Sequence, residues 1–324
     1  MKRIPVHFSD RALTRLLRGV VVALIIGVPL FGVLYVIDQR AGSGQTLTER
    51  QTQAAERQVR ASPDSIGLRI QLAEAYRQAH RFDDALKQYD EVLKVDGNHR
   101  TALMGRGAVL MAKNDLKGAQ ETYRKVTSTN TGGEFAGADP QLEEAHYYLG
   151  SIATSQNDLK TADTELQAAL KIDTTDADAW YLLGTVRLKN GAPDLAAQAF
   201  HNALAFVPTG WCEPYQQLAL AYGKLDKAAE AEYAGAMTDF CQKKPAEAIR
   251  RLTALTSGPA AVDALLGLGM VAESSSDRDE AVRRYQQVLA IDAKNTSALT
   301  ALSRLGTGSS AGPSAPTSPT AGHK

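Results

Sequence analysis

A charge bias is missing from this sequence. Its 324 residues carry 36 Lys and Arg against 36 Asp and Glu, a formal net charge of zero, so no overall field draws the chain to nucleic acid. No Lys/Arg cluster interleaved with aromatics supplies a local one. Cysteine is nearly absent: Cys212 and Cys241 are the two, and without a C-x-x-C pair there is no dithiol for redox catalysis. His7, His80, His99, His146, His201 and His323 are scattered, and none stands in an H-E-x-x-H or another zinc spacing. A G-x-S-x-G elbow, a Walker-type loop and a dinucleotide fingerprint are missing too. Carboxylate pairs such as Asp83-Asp84 and Glu143-Glu144 fall at expected turns and helix starts, where solvation or favourable helix-dipole placement accounts for them. These absences point away from an enzyme. They leave no catalytic residue, metal ligand, cofactor or small-molecule substrate to name.

What is present, first, is one long apolar run. Residues 19–37, GVVVALIIGVPLFGVLYVI, hold no charged side chain. As a helix the run spans about 28 Å, close to the hydrocarbon core of a bilayer. The apolar core of a secretory signal peptide is shorter, ~7–15 residues. We therefore read the run as an uncleaved transmembrane anchor, with cleavage near Ala41-Gly42-Ser43 as the alternative. Lys2, Arg3, Arg11, Arg15 and Arg18 precede it, opposed by Asp10; Arg40 and Arg50 follow, offset by Asp38 and Glu49. The positive-inside rule then keeps residues 1–18 as a basic cytoplasmic tail and places the rest outside the cytoplasm. For a bacterium, this predicts a single-pass protein of the inner membrane.

Second, the sequence repeats. The clearest unit starts at Asp176 and places Trp180, Leu183, Gly184, Ala196, Phe200, Ala203 and Pro208 in order. Small residues, Gly184 and Ala196, stand where two antiparallel helices would approach each other. Large ones fill the space between hairpins, and Pro208, lacking a donor, ends the second helix. The pattern returns near Ile66 (Leu72, Ala73, Tyr76, Ala85, Tyr89) and at Arg100 (Leu103, Gly107, Leu110, Ala119, Tyr123). It returns again at Glu143 (Leu149, Gly150, Ala162, Leu166), Cys212 (Tyr215, Leu218, Ala219, Tyr222) and Val262 (Leu268, Gly269, Ala281, Tyr285). These units, covering about residues 66–294, resemble the tetratricopeptide repeat (TPR), whose period is about 34 residues. Arg187 departs from the family's usual aromatic. The resemblance implies an all-α fold, a right-handed TPR α-solenoid of about six helix-turn-helix repeats, and the apolar run places it behind a single N-terminal transmembrane helix.

The flanks and interruptions follow from composition. Residues 38–65 read as a helical lead-in, and residues 66–305 as the array, closed by a capping helix from Asn295 to Leu305 that covers the last apolar face. Residues 306–324 are small, polar and Pro-containing, with little to bury, and are expected to be disordered. Residues 127–140, rich in Gly and Thr, read as a surface loop. Between Asp226 and Gly258 the pattern breaks. Two helices are expected there, Lys227 to about Gln242 and Pro245 to about Leu255, the latter a half-repeat without an assignable partner.

In an antiparallel hairpin the start of the first helix lies beside the end of the second. Cys212 and Cys241 occupy those two places, so they are either bridged or two half-buried thiols. The even count and an oxidising compartment favour the bridge.

In TPR proteins the first helix of each repeat lines a concave groove. That resemblance assigns Arg77, Met104, Met111, Tyr147, Tyr181, Leu188 and Gln216 to a groove for a protein or peptide partner. Met and Tyr there suit an adaptable apolar ligand. TPR co-chaperones that hold acidic heat-shock tails carry Lys, Asn and Arg at set positions. Here those positions hold Glu74, Gly105 and Tyr148, which argues against that activity. The expectation is a membrane-anchored scaffold assisting assembly of an envelope complex. Residues 56–95 are also similar to the TPR domains of apocytochrome-holding biogenesis proteins, so a cytochrome c maturation chaperone subunit is one alternative; a pilus or secretion assembly factor is another.

Overall fold

The computed structural model describes residues 46–129 and 138–306. The basic tail, the anchor at residues 19–37, the start of the lead-in, the middle of the interrupting loop and the tail from residue 307 lie outside the described residues. Among the described residues there are fifteen helices and no strand, and no helix is long and apolar enough to cross a membrane. They are α1 (Leu47–Ala61), α2 (Ile66–Gln78), α3 (Phe82–Val95), α4 (Arg100–Ala112), α5 (Leu116–Ser128), α6 (Pro140–Ser155), α7 (Leu159–Ile172) and α8 (Ala177–Lys189). There follow α9 (Pro193–Phe206), α10 (Glu213–Lys224), α11 (Ala228–Cys241), α12 (Pro245–Ala254), α13 (Ala261–Ser274), α14 (Arg278–Ile291) and α15 (Thr296–Arg304). Two compact units divide the chain between Val109 and Leu110.

The first unit is opened by the lead-in helix. Thr46 and Glu49 form a reciprocal capping box, each side chain accepting from the other's backbone N–H at 3.2 and 2.8 Å. α1 then packs on α2, and Glu56 accepts a hydrogen bond from the Tyr76 hydroxyl at 3.0 Å. Leu72, Ala73, Tyr76, Ala85, Tyr89, Val92, Ala102 and Val109 form the core.

A local device recurs in both units. At each hairpin turn one residue takes positive φ: His80 (56°), Asn114 (60°), Asn157 (58°), Gly191 (75°), Asp226 (55°), Lys243 (62°) and Ser276 (62°). The N–H of the next residue reaches back five positions to a carbonyl of the preceding helix, as in Asp115 to Leu110 (2.8 Å) and Lys244 to Asp239 (2.9 Å). This is the Schellman closure, which satisfies a carbonyl that the helix end would otherwise orphan. Where Asp follows, at Asp115, Asp158 and Asp277, its side chain caps the next helix by accepting from the N–H three residues on. Between repeats, Asp96, Asp173 and Asp292 accept from the N–H two residues later, fixing the turn.

The turn at Lys243 resolves the irregular stretch of the second unit. It joins α11 to α12, which pack together, while α11 also packs on α10 and on α13. One helix thus serves as the second member of one hairpin and the first of the next. At Gly235 of α11 an added Cβ would lie 2.6 Å from the Arg251 guanidinium of α12, the close approach that a small residue permits elsewhere in the array. Cys212 immediately precedes α10 and is joined by a disulfide to Cys241, the last residue of α11, with their Cα atoms 5.5 Å apart.

Candidate functional site

The seven groove positions do not share one fate. In the first unit Arg77 is held along its own helix by Glu74, its Nε donating at 2.9 Å. Met104 is 8% exposed. α4 buries Ala102, Leu103 and Met104 in succession, and Met104 belongs to the core. In the second unit Leu188 is also 8% exposed, packed in the cluster that holds Leu218 and Tyr222. Met104 and Leu188 thus expose little side chain for a partner. Met111 is half-buried and Gln216 is exposed. Tyr147 lies edge-on to Tyr148 at 5.6 Å, and Tyr148 stacks on Tyr123 at 5.0 Å. Tyr181 meets Trp211 at 5.0 Å and Phe200 at 5.9 Å, and it keeps partial exposure.

Between Tyr147 and the next repeat lies a pair of carboxylates. Glu143, in the first turn of α6, faces Asp176, which caps α8 by accepting from the Ala179 N–H at 3.0 Å. One oxygen of Glu143 is buried without a hydrogen-bond partner among the described residues. Burial, with the neighbouring Asp176 and Asp173, pushes the Glu143 carboxyl up to about 8. A proton held more tightly in the fold contributes stability that is present below the ordinary carboxylate range and lost as pH rises through that value. Urea midpoints of the protein are thus expected to fall as pH rises from about 5 to about 9, and Glu143→Gln to remove that fall. Parallel profiles for the two proteins would show that Glu143 is not the group.

An opening lies elsewhere in the second unit. Helices α9, α10, α11, α13, α14 and α15 contribute to the walls of a cavity of about 830 Å³. Leu204, Leu266 and Met270 line it with apolar surface, and Tyr215, Tyr233 and Tyr285 bring aromatic rings. The Tyr215 hydroxyl donates to the Pro208 carbonyl at 2.9 Å, so the segment after α9 is tied into the wall. His201 also lines the cavity, and its Nε2 is hydrogen-bonded to the Tyr222 hydroxyl. Burial pushes His201 below its usual range and Tyr222 up to about 12. The imidazole is accordingly neutral at pH 7, and the phenol donates to it. Asp263, in the first turn of α13, completes the wall.

None of these side chains was legible as a site in the sequence. His201 and Asp263 stand in different repeats with two irregular helices between them, and no motif links them. The one available signal was weak: each is polar beside strongly apolar helical positions, Phe200 and Leu265.

Models of the tetratricopeptide repeat match residues 70–139, 150–191 and 264–299. The chain contains tetratricopeptide repeats. No curated protein sequence matches it. Among solved structures, this TPR chain is similar to MamA at 27% identity, over 56% of its own length and 94% of MamA, with a TM-score of 0.50. YrrB, described as a TPR protein with an unusual peptide-binding site, is similar at 20% identity, over 61% of this chain and 97% of that one, with a TM-score of 0.50. The C-terminal part of a TPR repeat-containing protein from Cytophaga hutchinsonii is similar at 17% identity, over 78% and 93% of the two chains, with a TM-score of 0.50. At 20% and 17% identity the last two likenesses establish the fold alone.

Proposed function

We propose that this TPR protein is a membrane-anchored scaffold that binds a segment of a protein partner in the cavity of its second unit and assists assembly of an envelope complex. The observation that carries the reading is the cavity itself. It is open, about 830 Å³, and walled by side chains from separate repeats, room enough for side chains of a bound segment. Binding without catalysis is the role that the missing catalytic motifs favour. Anchoring rests on the charge-free run at residues 19–37 and the basic residues before it. The Cys212–Cys241 bridge fits an extracytoplasmic location for the repeats. The peptide-binding description of YrrB supports the mode of binding by analogy of fold.

A photo-crosslinking residue at Thr300, exposed on α15 at the cavity, tests this in native membranes. The expected result is one recurrent protein captured at Thr300 and not at exposed Lys94 of α3. The chain should also stay with the membrane after an alkaline wash unless residues 19–37 are deleted. No capture at Thr300, or equal capture at both positions, would count against the cavity. Release by the wash would count against the anchor.

A further inference from the structure

Resting on that reading, we propose that the cavity receives the cationic side chain of a Lys or Arg of the partner, with Asp263 as its counter-charge. Three features of the wall lead there. The first is an uncompensated carboxylate. Asp263 is half-buried, and it makes no hydrogen bond or ion pair among the described residues. Burial holds its carboxyl above the usual range and Glu230 pushes it further up; His201 would pull it down only in its charged form. A carboxylate withdrawn from water without a partner is costly, and an arriving cation restores what it lost.

The second feature is that the other charges nearby are already engaged. Glu273 accepts from Arg304 at 2.8 Å and from the Tyr285 hydroxyl at 2.6 Å, so that side of the cavity is internally neutral. His201 is neutral and occupied by Tyr222. Lys227 lies 5.8 Å from the Tyr222 ring centroid and forms no ion pair with Asp263. Asp263 is the charge on the wall that is left over. The third feature is the lining. Tyr215 and Tyr233 line the cavity, and aromatic rings attract cations. Leu204, Leu266 and Met270 offer apolar surface for the methylene stem of a long basic side chain. An anionic or purely aliphatic side chain would use the lining and gain nothing from Asp263.

The test uses the full chain and an array of 12-residue peptides of neutral sequence whose central residue is Lys, Arg, norleucine or Glu. The native protein is expected to retain Lys and Arg peptides about tenfold more strongly than norleucine peptides, the size of one charge-assisted pair. Asp263→Asn keeps the side chain's shape and is expected to erase that preference while norleucine peptides bind as before. Asp279→Asn, at an exposed carboxylate of α14, is expected to leave the preference intact, which separates the cavity from general surface attraction. Equal retention of Lys and norleucine peptides, or a preference that survives Asp263→Asn, overturns the cation assignment and leaves peptide binding standing. No retention of any peptide overturns the binding reading itself. If n-butylammonium alone then shifts the His201 ring resonances, the site belongs to a small amine and the protein-partner assignment is wrong.

Discussion

Phe200→Ala is expected to lower the unfolding free energy of the second unit by about 3–5 kcal/mol. Phe200 is fully buried in α9, in the cluster that also holds Leu188, Tyr215 and Leu218, with the Tyr181 ring 5.9 Å away. Its ring edge occupies the space opposite Gly184 of α8, where an added Cβ would lie 2.6 Å from ring carbon Cε1. Removing the ring leaves a void, and the surrounding helices are held by neighbouring hairpins and relax only partly. The opposite error is also costly. Gly184→Ala would force the ring or the helix backbones apart, at about 1–3 kcal/mol. Because the two residues touch, their effects should not add. Gly184→Ala combined with Phe200→Leu is expected to cost less than the two single changes together. Urea unfolding followed by circular dichroism measures all of these. A loss below about 1 kcal/mol for Phe200→Ala would mean that this contact is not a keystone of the hairpin.

Removing the Cys212–Cys241 bridge is expected to cost a comparable amount, about 3–4 kcal/mol in the chain-entropy account for a loop of this length. The two cysteines are 29 residues apart, at the start of α10 and the end of α11. The turn at Asp226 closes one end of that hairpin and the bridge closes the other. The bridged end also leads directly into the turn at Lys243, from which α12 departs. Loss of the bridge should therefore loosen the one place where α11 must pack on both α10 and α12. Cys212→Ser/Cys241→Ser, or the native chain in reductant, should unfold at lower urea than the oxidised chain. The double variant should be indifferent to reductant. Identical midpoints with and without reductant would rule out a stabilising bridge.

Much of the fold can be read before any coordinate is known. Gly184 and Ala196 recur with their large partners at a fixed spacing, and such a period is possible only if each hairpin meets its neighbour in the same way. The turns carry local signals of their own, since Asn114-Asp115 and Asn157-Asp158 pair a residue tolerant of positive φ with a helix cap. The turn at Lys243 does not. Lysine is not selected for positive φ, and Pro245 marks where α12 starts but not which helix it packs on, so its partner could not be assigned from sequence. Helical spacing says which residues share a face but not how deeply the fold buries them, as at Met104 and Leu188, each 8% exposed.

Local rules therefore decided the helices, the turns, the repeat and the adjacency of Cys212 with Cys241, because each depends on residues within one or two helices. Which faces remain open, and that His201, Tyr233 and Asp263 line one cavity, was decided by tertiary structure alone. Burial and charge at such a place are sums over helices distant in sequence, and the doubled use of α11 determines which of those helices meet.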